Sequence, residues 1–120
     1  LAKSASKNQV FRRLGIQADR DHKLMLDEAA AGRERLSYNP ENLADSLRAN
    51  PNIQPPYKWD QLSETAKHKE LLHIYRTASP RARMFFDKGS YTTTVEEENW
   101  AVAWYLWHSF RYRDNREHGQ

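Results

Sequence analysis

The densest run of apolar positions lies between Thr94 and Tyr112, TVEEENWAVAWYLWHSFRY. Within it Trp100, Trp104 and Trp107 follow one helical stripe that continues to Arg111, while Val102, Ala103, Leu106 and Phe110 fill the other faces. A helix apolar on all sides is enclosed by other helices or lends one face to a partner. The uninterrupted apolar run, Trp100 to Trp107, falls far short of the roughly 20 residues a bilayer needs, and acids and arginines flank it closely. The pattern predicts a central core helix. Thr94 followed by Glu97 has the spacing of a capping box, which sets the start of that helix near Val95. Glu96, Glu97 and Glu98 then fall in the first turn and Arg111, Arg113 and Arg116 at the far end, the order that complements a helix dipole.

The rest of the chain is patterned more weakly. Val10, Phe11 and Leu14 begin a helical stripe from Gln9 that breaks near Gly15, because glycine is unfavourable inside a helix. Asp19 to about Leu36 is rich in helix formers, and its apolar residues Leu24, Met25 and the alanines at 29–31 are sparse, which predicts a peripheral helix. Asn39 before Pro40 and Ser79 before Pro80 are cap-plus-proline starts. The first opens a short helix bearing Leu43 and Leu47 that stops by Asn50, ahead of Pro51. The connector ANPNIQPPYKW is stiffened by Pro55 and Pro56. A longer helix follows through LSETAKHKELLHIYRTA, with Leu71, Leu72, Ile74 and Tyr75 on its apolar side, and the Pro80 helix contributes Met84, Phe85 and Phe86 before Gly89 ends it. No stretch alternates with period two for more than a few residues. The expected architecture is all-α: one domain at 9–114, a bundle of about five helices around a central Trp-rich C-terminal helix, with flexible segments at 1–8 and 115–120.

Composition narrows the chemistry. At 120 residues the chain can enclose one hydrophobic core. The absence of cysteine excludes disulfides, thiolate metal sites and thiol nucleophiles, and it suits a reducing compartment, so an intracellular location, nuclear or cytoplasmic, is expected. The N-terminal residues LAKSASKNQ contain no apolar signal region. Net charge is +3, with 19 basic residues set against 16 acidic ones along the whole chain, so an electropositive patch must be assembled by the fold.

No constellation reads as catalytic. Glu70 and His73 have the Glu-x-x-His spacing of bundle metal sites, but such sites need a second copy, which the chain lacks. His68 and His73 are five apart, not four; His22 and His108 are isolated; the four glycines are scattered and form no phosphate loop. On a helix, consecutive Glu96, Glu97 and Glu98 point in different directions. No metal and no cofactor is expected, and the chain reads as a non-enzyme. The basic groups are harder to dismiss. Arg81, Arg83 and Lys88 begin in the first turn of the Pro80 helix, where the dipole opposes positive charge, so an anionic partner gives them a use. Together with Arg111, Arg113 and two aromatics expected to be exposed, Tyr57 and Trp59, they make the candidate partner- or anion-binding set. The expected function is a helical protein–protein interaction or self-association module, within a chromatin or other nucleic-acid-associated assembly. The alternative is direct nucleic-acid binding through those arginines and aromatics. The partners implied are another protein or a second copy, with nucleic acid as the alternative, and neither a membrane nor a small-molecule substrate.

Overall fold

The computed structural model describes residues 1–118, with side chains as far as Asp114. Among the described residues the chain forms five α-helices: α1 (Lys7–Leu14), α2 (Asp19–Ser37), α3 (Glu64–Thr77), α4 (Pro80–Phe86) and α5 (Trp100–His118). The fold is mostly α but not purely so. Between α4 and α5 the chain makes an antiparallel hairpin of β1 (Ser90–Thr92) and β2 (Glu97–Asn99), with Tyr91 opposite Glu98. No helix among the described residues is long and apolar enough to cross a membrane. The expected tail at 115–120 overlaps the end of α5; its side chains, and residues 119–120 altogether, lie outside the described residues.

The hairpin corrects the predicted start of the central helix. Thr94 and Glu97 do not cap it. Thr93 takes that chemistry instead: its Oγ1 accepts from the N–H groups of Val95 and Glu96 and so closes the hairpin turn. The helix starts five residues later, where Asn99 supplies the cap. Its Oδ1 accepts from Ala101 N (3.0 Å) and Val102 N (3.1 Å), and its Nδ2 donates to the Phe86 carbonyl (2.9 Å) and Ser90 Oγ (3.2 Å). One side chain, 2% exposed, thus ties together the end of α4, the first strand and the start of α5.

As its pattern predicts, α5 lies at the centre. It touches α2, α3, β1 and the 3-10 turns at Trp59–Gln61 and Asp87–Gly89. Val102, Tyr105, Leu106 and Phe110 are buried deepest, with Trp104 beside them, while Trp100 and Trp107 are half-buried at the edge. Its principal neighbour is α2, which corrects the expectation of a peripheral helix. α2 buries Asp21, Met25, Ala29, Gly32 and Leu36 in one stripe. Gly32 in that stripe gives room to α3, since a Cβ there would run into Ile74, so few large side chains are needed.

The other local signals resolve simply. Ser6 and Gln9 form a capping box that starts α1 at Lys7, and Gly15 ends it in the left-handed region (φ 72°). Ser79 caps α4 with Pro80 at its first position. The segment after Asn39 is shorter than the predicted helix: two 3-10 turns, Pro40–Asn42 and Asp45–Leu47, then an irregular connector containing a cis Pro55–Pro56 peptide.

Gly89, in the 3-10 turn that follows α4, packs its backbone against the start of α5. A Cβ there would stand 2.6 Å from Ala101 Cβ and 2.7 Å from both Ala101 N and Asn99 Oδ1. Gly89→Ala is therefore expected to destabilise the fold by about 1–3 kcal/mol, as overpacking does, measured by urea unfolding. An unchanged midpoint would mean that the α4–α5 junction is looser than described.

Candidate functional site

The cations expected to meet an anion are engaged largely within the fold. Arg81 grips Asp21 with two hydrogen bonds, Nε to Oδ1 at 3.0 Å and Nη2 to Oδ2 at 2.9 Å. The hydrogen bonds and charge of Arg81 hold the carboxyl of Asp21 below its ordinary pKa against the opposing effect of burial. Lys88 donates to the Leu14 carbonyl at 2.9 Å, closing the end of α1. Arg113 donates to Ser37 Oγ (2.8 Å) and the Tyr57 carbonyl (2.6 Å), clasping the connector to the end of α2. Arg83 and Arg111 stay on the surface, each over an aromatic ring, Tyr75 and Trp107 respectively.

The aromatic pair is also corrected. Tyr57 is 3% exposed, because its backbone is drawn in by Ser37 and Arg113. Trp59 is half-buried, edge-on to Phe110 at 5.3 Å with the Lys67 ammonium 4.4 Å from its ring centroid. Glu70 of the Glu-x-x-His pair receives two hydrogen bonds from Arg35 and does not meet His73 in a shared site.

What the fold creates instead is a cleft of about 530 Å³ between two facing stripes. Leu26, Ala30 and Arg33 come from α2; Trp104, His108 and Tyr112 come from α5. Steps of three and four residues keep each trio on one side of its helix. Residues 5–7 form the rim, and the N-terminal segment is held by its backbone: Trp104 Nε1 donates to the Ala5 carbonyl at 2.9 Å, and His108 Nε2 donates to the Lys3 carbonyl at 3.2 Å. His22 completes the wall, with Nδ1 2.8 Å from Tyr105 Oη. Burial lowers the pKa of both histidines below the ordinary 6.5, assisted at His22 by the charge of Lys7 and opposed at His108 by the bond to Lys3. Both rings are therefore neutral at pH 7, and the wall they form is uncharged. Arg33 Nε and Ser109 Oγ are buried behind it without a hydrogen-bonding partner among the described residues. Cleft size and lining fall in the range of ligand-binding pockets. The cleft was hard to foresee because Trp104 reads along the sequence with Trp100 and Trp107, whereas in space it lines up with His108 and Tyr112.

A second cleft, of about 480 Å³, lies on the other side of the N-terminal segment and is more polar. Trp59, Lys67 and Trp100 line it, and at its mouth His68 meets Glu96 and Glu98. Comparison of the chain with protein-family models, with curated proteins and with solved structures found no match.

Arg113→Ala removes charged hydrogen bonds to two partly buried acceptors and is expected to cost about 1.5–3 kcal/mol in urea unfolding. Arg111→Ala, which loses only a ring contact at the surface, should cost well under 1 kcal/mol by the scale of exposed cation–π pairs, about 0.5–1 kcal/mol at most. Equal losses would deny Arg113 its role as a clasp.

The histidines make a pH prediction. A base whose pKa is lower in the folded state binds more protons when unfolded, so stability rises with pH across that window. The melting temperature is expected to fall as the pH drops below 6.5, the ordinary histidine value, and on through the lower folded values. The doubly substituted His22→Gln, His108→Gln protein should show a flatter profile over the same range; an unaltered slope would assign the pH dependence to other groups.

Proposed function

We propose that this chain is a non-enzymatic protein-recognition module that takes a large apolar side chain of a partner polypeptide into the cleft between α2 and α5. The observation carrying the reading is the cleft itself: an apolar trough floored by Trp104, with neutral histidines in its wall. A buried apolar anchor is what concentrates binding energy at protein interfaces, and an aromatic floor suits one. Lys7 and Asp27 at the rim offer both signs of charge to the polar backbone or flanking residues of the bound segment.

The same geometry weakens the case for nucleic acid. Three of its five expected cations, Arg81, Lys88 and Arg113, already bind groups of this chain, and backbone phosphates need free, convergent charge.

The test is selection from a library of displayed random peptides, using wild-type protein and Ala30→Trp, which fills the cleft from one wall. Recovered peptides are expected to share one large apolar residue. They should bind Ala30→Trp about 30-fold more weakly, the equivalent of the roughly 2 kcal/mol or more carried by a central anchor. Peptides that bind both proteins equally, or a selection that yields no shared apolar position, would overturn the reading.

A further inference from the structure

The hairpin changes what the triple glutamate can do. In extended backbone, residues two apart project on one side and the residue between them on the other. Glu97 turns to Arg76, 3.3 Å away, while Glu96 and Glu98 both face His68 of α3. His68 Nε2 lies 3.6 Å from Glu96 Oε2 and 3.7 Å from Glu98 Oε1. The three potential ligand atoms, one per residue, all lie within 4.8 Å of one another.

Those separations are too long for hydrogen bonds; the ring nitrogen hydrogen-bonds the Glu97 carbonyl at 2.8 Å instead. They are close to the spacing of ligands around a tetrahedral ion. With metal–ligand bonds of about 2.0–2.2 Å, neighbouring donor atoms stand about 3.3–3.6 Å apart. The His68 spacings thus ask for adjustments of tenths of an ångström, while the two carboxylates must close from as much as 4.8 Å and the Glu97 carbonyl must turn aside from Nε2; the side chains that move are one-quarter to one-half exposed. Two carboxylates and an imidazole also match a dication in charge. Among the described residues the ion-pair partner of Glu96 and Glu98 is His68 itself, whereas Glu97 has an arginine.

We propose that His68, Glu96 and Glu98 form a binding site for a divalent transition ion of the zinc type. The imidazole selects such an ion over magnesium or calcium, which prefer an all-oxygen shell. With three protein ligands, a fourth position stays open toward the cleft lined by Trp59, Lys67 and Trp100. Binding through Nε2 uses the ring with its proton on Nδ1, and because the Glu97 carbonyl lies 2.8 Å from that nitrogen on the side where the ion enters, His68 must swing away from it as the ion binds. The ion would pin α3 to the hairpin, and any ligand that binds only the folded chain raises its stability by mass action. This inference stands apart from the peptide cleft, which uses none of these residues.

The experiment is isothermal titration of the full chain with zinc chloride, with magnesium chloride as comparison, and a thermal melt with and without zinc. Wild type is expected to take one zinc per chain, to ignore magnesium and to melt higher with zinc. His68→Ala, Glu96→Gln and Glu98→Gln should each bind zinc more weakly by about tenfold or more and lose most of the thermal shift. His73→Ala and Glu97→Gln should behave as wild type. The melts without zinc establish that each variant is folded, and Glu96→Gln, at an exposed position, tests the site without disturbing packing. Absence of zinc binding by wild type would overturn the proposal. So would zinc binding that survives His68→Ala, or that disappears with His73→Ala instead.

Discussion

A helix that is apolar around its whole circumference has to be walled in on every side. That constraint shapes this molecule. α5 buries Ala101, Val102, Trp104, Tyr105, Leu106 and Phe110, and α2, α3, β1 and the 3-10 turns at Trp59–Gln61 and Asp87–Gly89 lie against it. The helix can begin where it does because Asn99 satisfies its first free N–H groups from inside the protein, where water is excluded, and fastens α4 and the hairpin to the same point. Gly89 leaves the space this junction requires.

The walls do not close everywhere, and the two gaps carry the functional readings. α2 packs along α5 and its Gly32 gives room to Ile74 of α3, but between its stripe of Leu26, Ala30 and Arg33 and the Trp104 and His108 stripe of α5 lies the apolar cleft, with Arg33 Nη1 reaching across to the Ser109 carbonyl at 3.1 Å. Across the N-terminal segment the second cleft opens beside the place where β2 meets α3 at His68, and the carboxylates of Glu96 and Glu98 gather around that ring. The polar groups that are drawn inside are mostly matched: Asp21 by Arg81, and the connector carbonyl of Tyr57 by Arg113. Much of the positive charge that stands out in the composition is thereby used to hold the chain together.

The strongest local signals were legible in the sequence. Gly15 as a stop, Asp19 to about Leu36 as a helix, Ser79–Pro80 as a start and the centrality of the Trp100–Phe110 segment all follow from propensity, capping and period, and all are present. What was not legible depends on competition between neighbours. Thr93, Thr94 and Asn99 are all good capping residues, and only the pairing of Ser90–Thr92 with Glu97–Asn99 decides in favour of Asn99. A helix turns consecutive glutamates in different directions, and only the hairpin brings Glu96 and Glu98 to one side of the chain, where they meet His68. The importance of α2 was hidden for a related reason: burial by alanine and glycine is a matter of close approach, which hydrophobicity along a chain does not register. The engagement of Arg81 and Arg113 joins residues 60 and 76 positions apart, beyond any local pattern.

We propose that the functional face of the molecule is the apolar cleft over Trp104 and not the arginines of α4. It is tested most directly by a two-dimensional nitrogen–proton NMR titration of the labelled chain with N-acetyl-tryptophanamide, a minimal apolar side chain with capped backbone. The account predicts saturable shifts at the amides of Ala5, Ala30 and Arg33 and at the Trp104 indole N–H, with Arg81 and Arg83 unmoved. Shifts centred on Arg81, Arg83 and Met84, or weak shifts spread over the surface without saturation, would contradict it.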